Sequence, residues 1–189
     1  MKHVIGVVGE NGAGKDTFTT FLTAAAAPIV ISKVHFSDIL YETLTLWGID
    51  ATRSNLQNLA IAMDREFGKG SVTAATSSRI EKTAGDIIVV EGVRWKTDAT
   101  MIRSFKNSLL VYITALPKVR FERMKNRREK VGEENLSFEQ FEREEKAATE
   151  LEISEIGSGA DFKIENNETL DDLRIRVEEL YSSLLSGRK

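Results

Sequence analysis

Val4-Ile5-Gly6-Val7-Val8-Gly9-Glu10-Asn11-Gly12-Ala13-Gly14-Lys15-Asp16-Thr17 is the stretch from which the rest of the chain is read. It begins as an apolar, β-branched run, the composition of a strand buried on both faces. The glycines that follow permit positive φ and close approach of backbone to a ligand. From Lys15 onward the spacing turns helical. Strand, glycine-rich turn and helix together make the G-x-x-x-x-G-K frame, in which inward-facing N–H groups and the positive end of a helix cradle phosphate. Gly9, Asn11, Gly12, Ala13, Gly14, Lys15, Asp16 and Thr17 are therefore the expected nucleotide-binding residues, with Lys15 reaching the β- and γ-phosphates of a triphosphate. One position departs from the pattern. Asp16 stands where a Ser or Thr hydroxyl usually meets Mg²⁺, and Thr17 comes one residue later, so Asp16 is expected to hold the ion directly or through water. A dinucleotide-binding fingerprint fits less well, because Gly12-Ala13-Gly14 continues into Lys15-Asp16-Thr17 without a third glycine.

The 189 residues, 41% of them hydrophobic, suffice for one domain with a sizeable core. A net charge of −3 gives no general attraction for polyanions, so neither nucleic acid nor a membrane surface is an expected partner. The absence of cysteine excludes disulfides, thiolate metal sites and a cysteine nucleophile. His3 and His35, the two histidines, are too few for a zinc cluster and are expected to be structural. Lys2-His3 leads straight into the first strand with no signal peptide, and no apolar span is long enough to cross a bilayer. These features suit a cytoplasmic enzyme, a monomer or weak homodimer.

Further along, a helix is expected from Asp16 to about Ala27, then a short strand at 28–31 and a helix from Phe36, capped by Ser37 or Asp38 and closed by Gly48. Leu56, Leu59, Ala60, Met63 and Phe67 form an apolar stripe at helical spacing, with Arg53 and Arg65 off it, and Ser71 opens another helix to about Lys82. Ile87-Ile88-Val89-Val90-Glu91 is a buried strand closed by an acid, the form of the second NTPase element that helps hold Mg²⁺. Asp16, Thr17 and Glu91 are thus the expected metal ligands. A helix from Trp95 to Phe105, a strand at Leu109–Ile113 and an arginine-rich helix from Pro117 come next. Arg123 and Arg127 repel each other at i,i+4 spacing, which favours an anion bound between them. A turn at Gly132-Glu133-Glu134, a charged helix to about Leu151, a loop at Gly157-Ser158-Gly159 and a strand at Asp161–Ile164 complete the second half. The last helix buries Leu170, Leu173, Val177, Leu180, Tyr181 and Leu184. Alternating buried strands and helices predict an α/β protein: three layers, helices on both faces of a five-stranded parallel sheet.

With its elements placed, the chain resembles the P-loop nucleoside monophosphate kinase superfamily over nearly its whole length. Phe36-Ser37-Asp38-Ile39-Leu40 is similar to the segment opening the acceptor-binding helices of adenylate kinases. Glu91-Gly92-Val93-Arg94 sits where that family has Asp-Gly-x-Pro-Arg, whose arginine grips the acceptor phosphate. Pro117 through Arg127 resembles the helix leading into the mobile lid. Residues 160–169 are similar to the ending of dephospho-coenzyme A kinases, and the Gly-Lys-Asp loop resembles deoxynucleoside monophosphate and phosphomevalonate kinases. The resemblance implies one kinase domain: core 1–35, 84–117 and 152–189, acceptor-binding insert about 36–83, lid about 118–151. It also implies ATP and Mg²⁺ as cofactors, with Lys15, Arg94, Arg123 and Arg127 as catalytic residues. The acceptor is a small phosphate-bearing molecule, a nucleoside monophosphate or dephospho-coenzyme A, held by Asp38, Arg53, Arg65 and Arg94. Val93 and Glu91 replace the family's proline and aspartate, and no arginine follows Leu40, which brings Arg53 and Arg65 forward as acceptor contacts. A regulatory nucleotide-binding protein is the rival from another class, although a guanine-specific Asn-Lys-x-Asp motif is missing.

Overall fold

Five strands pair side by side with helices between them. A computed structural model of the chain describes residues 2–127, 137–146 and 151–185. The elements are β1 (His3–Val8), α1 (Lys15–Ala26), β2 (Ile31–His35), α2 (Asp38–Leu46), α3 (Arg53–Phe67), α4 (Ser71–Lys82) and β3 (Ile87–Val93). After them come α5 (Lys96–Arg103), β4 (Ser108–Thr114), α6 (Pro117–Arg127), α7 (Phe138–Glu145), α8 (Ile153–Ser158), β5 (Phe162–Glu165) and α9 (Leu170–Leu185). All five strands run parallel, as the sequence predicts, and their order is β2-β3-β1-β4-β5. Parallel strands have the same end in common, so the loops after β1, β2, β3, β4 and β5 open at one edge.

The two-residue period of β1 sorts its side chains between two cores. Ile5 and Val7 pack with Phe18 and Leu22 of α1 and Leu173, Val177 and Leu180 of α9. Val4 and Val8 pack against Ile80 of α4, Ile102 of α5 and Ile153 and Ile156 of α8. Each fully buried side chain of this size contributes about 1.5–3 kcal/mol relative to exposure. Just before β1, the Lys2 ammonium donates to the carbonyls of Ile80 and Glu81 and, at 2.8 Å, of Thr83, covering the negative end of α4.

Several local expectations are corrected. The second strand is Ile31–His35, not 28–31. It is the outer strand, with Val34 its one fully buried residue, so it lacks the apolar run that marks inner strands, while Ile29 and Val30 face solvent. Ser37 caps α2 without a side-chain bond, and Asp38 instead accepts the backbone N–H of His35 at 2.7 Å. The stripe on α3 is only partly covered: no described side chain there is fully buried, and Phe67 is largely exposed. Gly157 and Ser158 belong to α8 rather than a loop. Gly157 is needed there because a Cβ would lie 2.5 Å from the Tyr112 ring. Leu170, at the start of α9, is exposed because the helix reaches the core only from Leu173.

Of the expected lid, α6 and α7 are described. They meet through Phe121, Phe138 and Phe141, whose ring centroids lie 5.3–5.8 Å apart. Helix α7 ends at Glu145, short of the expected boundary near Leu151. The expected turn at Gly132-Glu133-Glu134, with Arg128 and Lys130, lies outside the described residues, as do residues 147–150.

Candidate active site

The loop from Gly9 to Lys15 leaves the central strand at the common edge and turns into α1. Gly14 caps that helix with φ 100°, a left-handed conformation that side-chain-bearing residues rarely take. The first N–H groups of a helix have no partner within it, so those following Gly14 are donors for a ligand. Two other elements brace the loop. Buried Asn166, just after β5, donates its Nδ2 to the Ala13 carbonyl at 2.8 Å and its backbone N–H to Thr114 at 2.7 Å. Buried Arg120 on α6 donates to the Ala115 carbonyl at 2.8 Å and the Asn11 carbonyl at 3.4 Å, and forks onto the Glu145 carboxylate.

Lys15 turns its ammonium across this loop, 2.8 Å from both the Gly9 and Glu10 carbonyls. Burial, and then the charge of Arg94, lower its pKa to about 8, against the opposing pull of Asp16, Glu10 and Glu91. The Glu10 carboxylate accepts the Tyr112 hydroxyl through Oε1, while its buried Oε2 has no protein partner. Burial and the bond to Glu10 push the Tyr112 phenol up to about 12.

Glu91 is buried at the end of β3 and accepts the Thr19 hydroxyl at 2.7 Å. The β1–β3 register shifts between Gly6↔Val90 and Val8↔Val93, and Gly92 takes φ 82°. That irregularity leaves Glu91 on the α1 side and turns Val93 to the opposite core. Asp16 and Glu91 converge on one positive charge, the Lys33 ammonium, at 3.7 and 3.1 Å. Two carboxylates sharing a cation in this way fit a Mg²⁺ site completed by phosphates and water. No group of three or more His, Asp or Glu suited to a metal gathers among the described residues. The hydroxyl beside Glu91 is that of Thr19.

Arg94 follows β3, and its backbone N–H and that of Trp95 both donate to Asp98 at 3.1 Å. Asp98 is buried, which pushes its carboxyl up, and it also accepts the Thr73 hydroxyl. His35 lies opposite Glu91 in the β2–β3 register, and its ring covers Gly92. Burial lowers the His35 pKa, with Asp38, Glu91, Arg94 and Lys15 all acting on it electrostatically. The structure therefore gathers Lys15, Asp16, Glu91, Arg94, His35 and Asp38 at one crevice. Arg65 instead pairs with Glu66 at 2.6 Å in solvent. Arg123 donates to the Asn166 carbonyl at 2.9 Å, and burial lowers its pKa. Arg53 opens α3 and Arg127 ends α6, but their side chains lie outside the described set.

Sequence reading overlooked Glu10, Thr19, Lys33, Tyr112, Arg120 and Asn166 as parts of this site. Asn166 lay within the 160–169 resemblance, and Arg120 within the arginine-rich helix. Lys33 gave no signal, being a single lysine on an edge strand.

Sheet order and glycine loop together define an α/β protein with a P-loop kinase-like fold. Among solved structures, a shikimate kinase from Bacteroides thetaiotaomicron has a similar fold, with a TM-score of 0.61, 13% identity and coverage of 95% of this chain and 98% of that one. A dephospho-CoA kinase from Campylobacter jejuni has a TM-score of 0.58 at 14% identity, covering all of both chains (100% each). Residues 5–148 match the family model described as an AAA domain, and the chain belongs to that family. A UPF0200 protein of Pyrococcus horikoshii is 29% identical, covering 97% of this chain and 98% of its own.

Proposed function

We propose that this protein is an ATP- and Mg²⁺-dependent phosphotransferase acting on a small phosphate-bearing acceptor, in the first place a nucleoside or deoxynucleoside monophosphate. One observation carries this reading. Lys15 lies in its glycine cradle after β1, and Arg94 directly follows β3, the neighbouring parallel strand whose Val93 pairs with Val8. Two cations at one crevice suit two anions that must be brought together, one as donor and one as acceptor.

In this reading Lys15 and the loop amides hold the ATP phosphates, and Arg94 grips the acceptor phosphate with its planar fork. Asp16 and Glu91 hold Mg²⁺, which when bound supplies charge neutralisation to the donor phosphates. An acceptor phosphate oxygen attacks the γ-phosphorus in line. The bond from that phosphorus to the β–γ bridging oxygen breaks, and ADP leaves. The excursion α2–α4, with Arg53 and Arg65, forms the acceptor cover, and Arg123 and Arg127 act from the lid on closure. Such a reaction suits the cytoplasm, and no described helix is long and apolar enough to cross a membrane.

A second reading, a hydroxyl acceptor such as that of dephospho-coenzyme A, is favoured by Asp38. Its carboxylate lies in the charge cluster around His35, where it could take the proton a hydroxyl must lose. A coupled ADP-release screen over nucleoside monophosphates, their deoxy forms and dephospho-coenzyme A tests both. Strong ADP formation only with an acceptor supports a kinase, and the acceptor separates the two readings. Slow hydrolysis indifferent to every acceptor would instead mark a nucleotide-binding switch.

A further inference from the structure

Lys33 belongs to none of the roles above. It lies on the α1 side of β2, since Ile31 two residues earlier packs on the α1–α9 core and Val34 on the opposite one. Three elements meet at its ammonium: β2 through Lys33, α1 through Asp16 and β3 through Glu91. The Glu91 side chain is 8% exposed, whereas those of Lys33 and Asp16 are 50% and 70% exposed. A buried carboxylate needs a counter-charge, and Lys33 supplies it from a flexible stem with room to withdraw into solvent.

We propose that Lys33 is a positioning residue that serves as a tethered counter-ion. It bridges Asp16 and Glu91 in the nucleotide-free protein and yields them to the divalent cation that accompanies ATP. The inference rests on the reading of Asp16 and Glu91 as cation ligands. Physically, an ammonium and a divalent cation compete for the same two carboxylates, and the doubly charged ion repels the displaced lysine. Lys33 thereby raises the divalent concentration needed to fill the site without nucleotide, and it keeps the ends of β2, α1 and β3 together until ATP arrives.

The test compares wild type with Lys33→Met, which keeps the apolar stem, and with Lys33→Arg, which restores the charge. Mn²⁺ binding without nucleotide is measured by electron paramagnetic resonance, and melting temperature is read in chelator and in millimolar Mg²⁺. Lys33→Met is expected to bind Mn²⁺ about two- to fivefold more tightly, the scale of one half-exposed ion pair. It should also melt lower than wild type in chelator and recover with Mg²⁺, while wild type hardly responds. Lys33→Arg should behave as wild type, and adding Glu91→Gln to Lys33→Met should abolish the gain. Equal Mn²⁺ affinity in wild type and Lys33→Met would overturn the proposal, as would a gain that survives Glu91→Gln. Because the titration omits nucleotide and acceptor, it decides the role of Lys33 whatever the ADP-release screen returns. If that screen shows transfer while Lys33→Met leaves Mn²⁺ affinity unchanged, the counter-ion role alone fails.

Discussion

The Lys15 ammonium is held by two loop carbonyls, and burial followed by Arg94 brings its pKa to about 8 rather than the usual 10.5. Two consequences follow. An unfolded Lys15 binds its proton up to the ordinary value while the folded one releases it earlier. The unfolded chain therefore carries more protons between about 8 and 10.5, and this residue's contribution makes stability rise with pH across that window. Lys15→Met should flatten the rise in a melting series. The other consequence concerns binding. ATP affinity of the free protein should fall as pH climbs through about 8, because a neutral lysine no longer attracts phosphate. Arg94→Ala removes the second cause of the shift, so it should move that inflection upward in calorimetric titrations, and an unmoved inflection would separate the two residues. Lys15→Ala should keep or raise the melting temperature while losing roughly two orders of magnitude in transfer rate. Lys15 and Glu91 were legible from sequence because their motifs are local. Lys33 and Glu10 were not, since their partners meet them only after three strands and a helix have packed.

At the scale of elements, the phosphate loop is clamped from both sides: by Asn166 behind β5 and by Arg120 on α6. Asn166→Ala removes the Nδ2 donor from the buried Ala13 carbonyl, which should cost about 1–3 kcal/mol. It should also weaken ATP binding, because the loop amides lose their fixed orientation. Gly12→Ala tests the other side. A Cβ there would lie 2.6 Å from the Arg120 carbonyl at φ 77°, so α6 must shift or the loop must distort. Both variants should lower the melting temperature and ATP affinity together in thermal and calorimetric assays, and a variant that lost neither would show that the clamp is idle. Elements were legible in proportion to their burial. The apolar runs of β1, β3 and β4 declare inner strands, and the stripe of α9 from Leu173 declares a core helix. Edge strand β2 shows the sheet one fully buried side chain, and α8 hides behind glycines that ordinarily punctuate loops.

For the whole molecule, the parallel order β2-β3-β1-β4-β5 brings the phosphate loop, the Glu91–Arg94 corner, the His35–Asp38 turn and Asn166 to one edge of the sheet. Alternation of strands and helices sufficed to predict a parallel sheet covered on both faces, though not its strand order, because parallel strands require crossovers and crossovers cover both faces. The acceptor was not legible, since α3 carries no fully buried described side chain and its exposed arginine Arg65 pairs with Glu66. In the proposed reaction this edge transfers the γ-phosphate of ATP to a phosphate-bearing molecule through Lys15. Phosphorus NMR of ATP, Mg²⁺ and each monophosphate with wild type and Lys15→Ala tests it most directly. Wild type should convert one acceptor's monophosphate resonance into a diphosphate pair as ADP appears, while Lys15→Ala should leave the spectrum nearly unchanged. Inorganic phosphate as the sole new product in wild type, or equal conversion by both proteins, would contradict it.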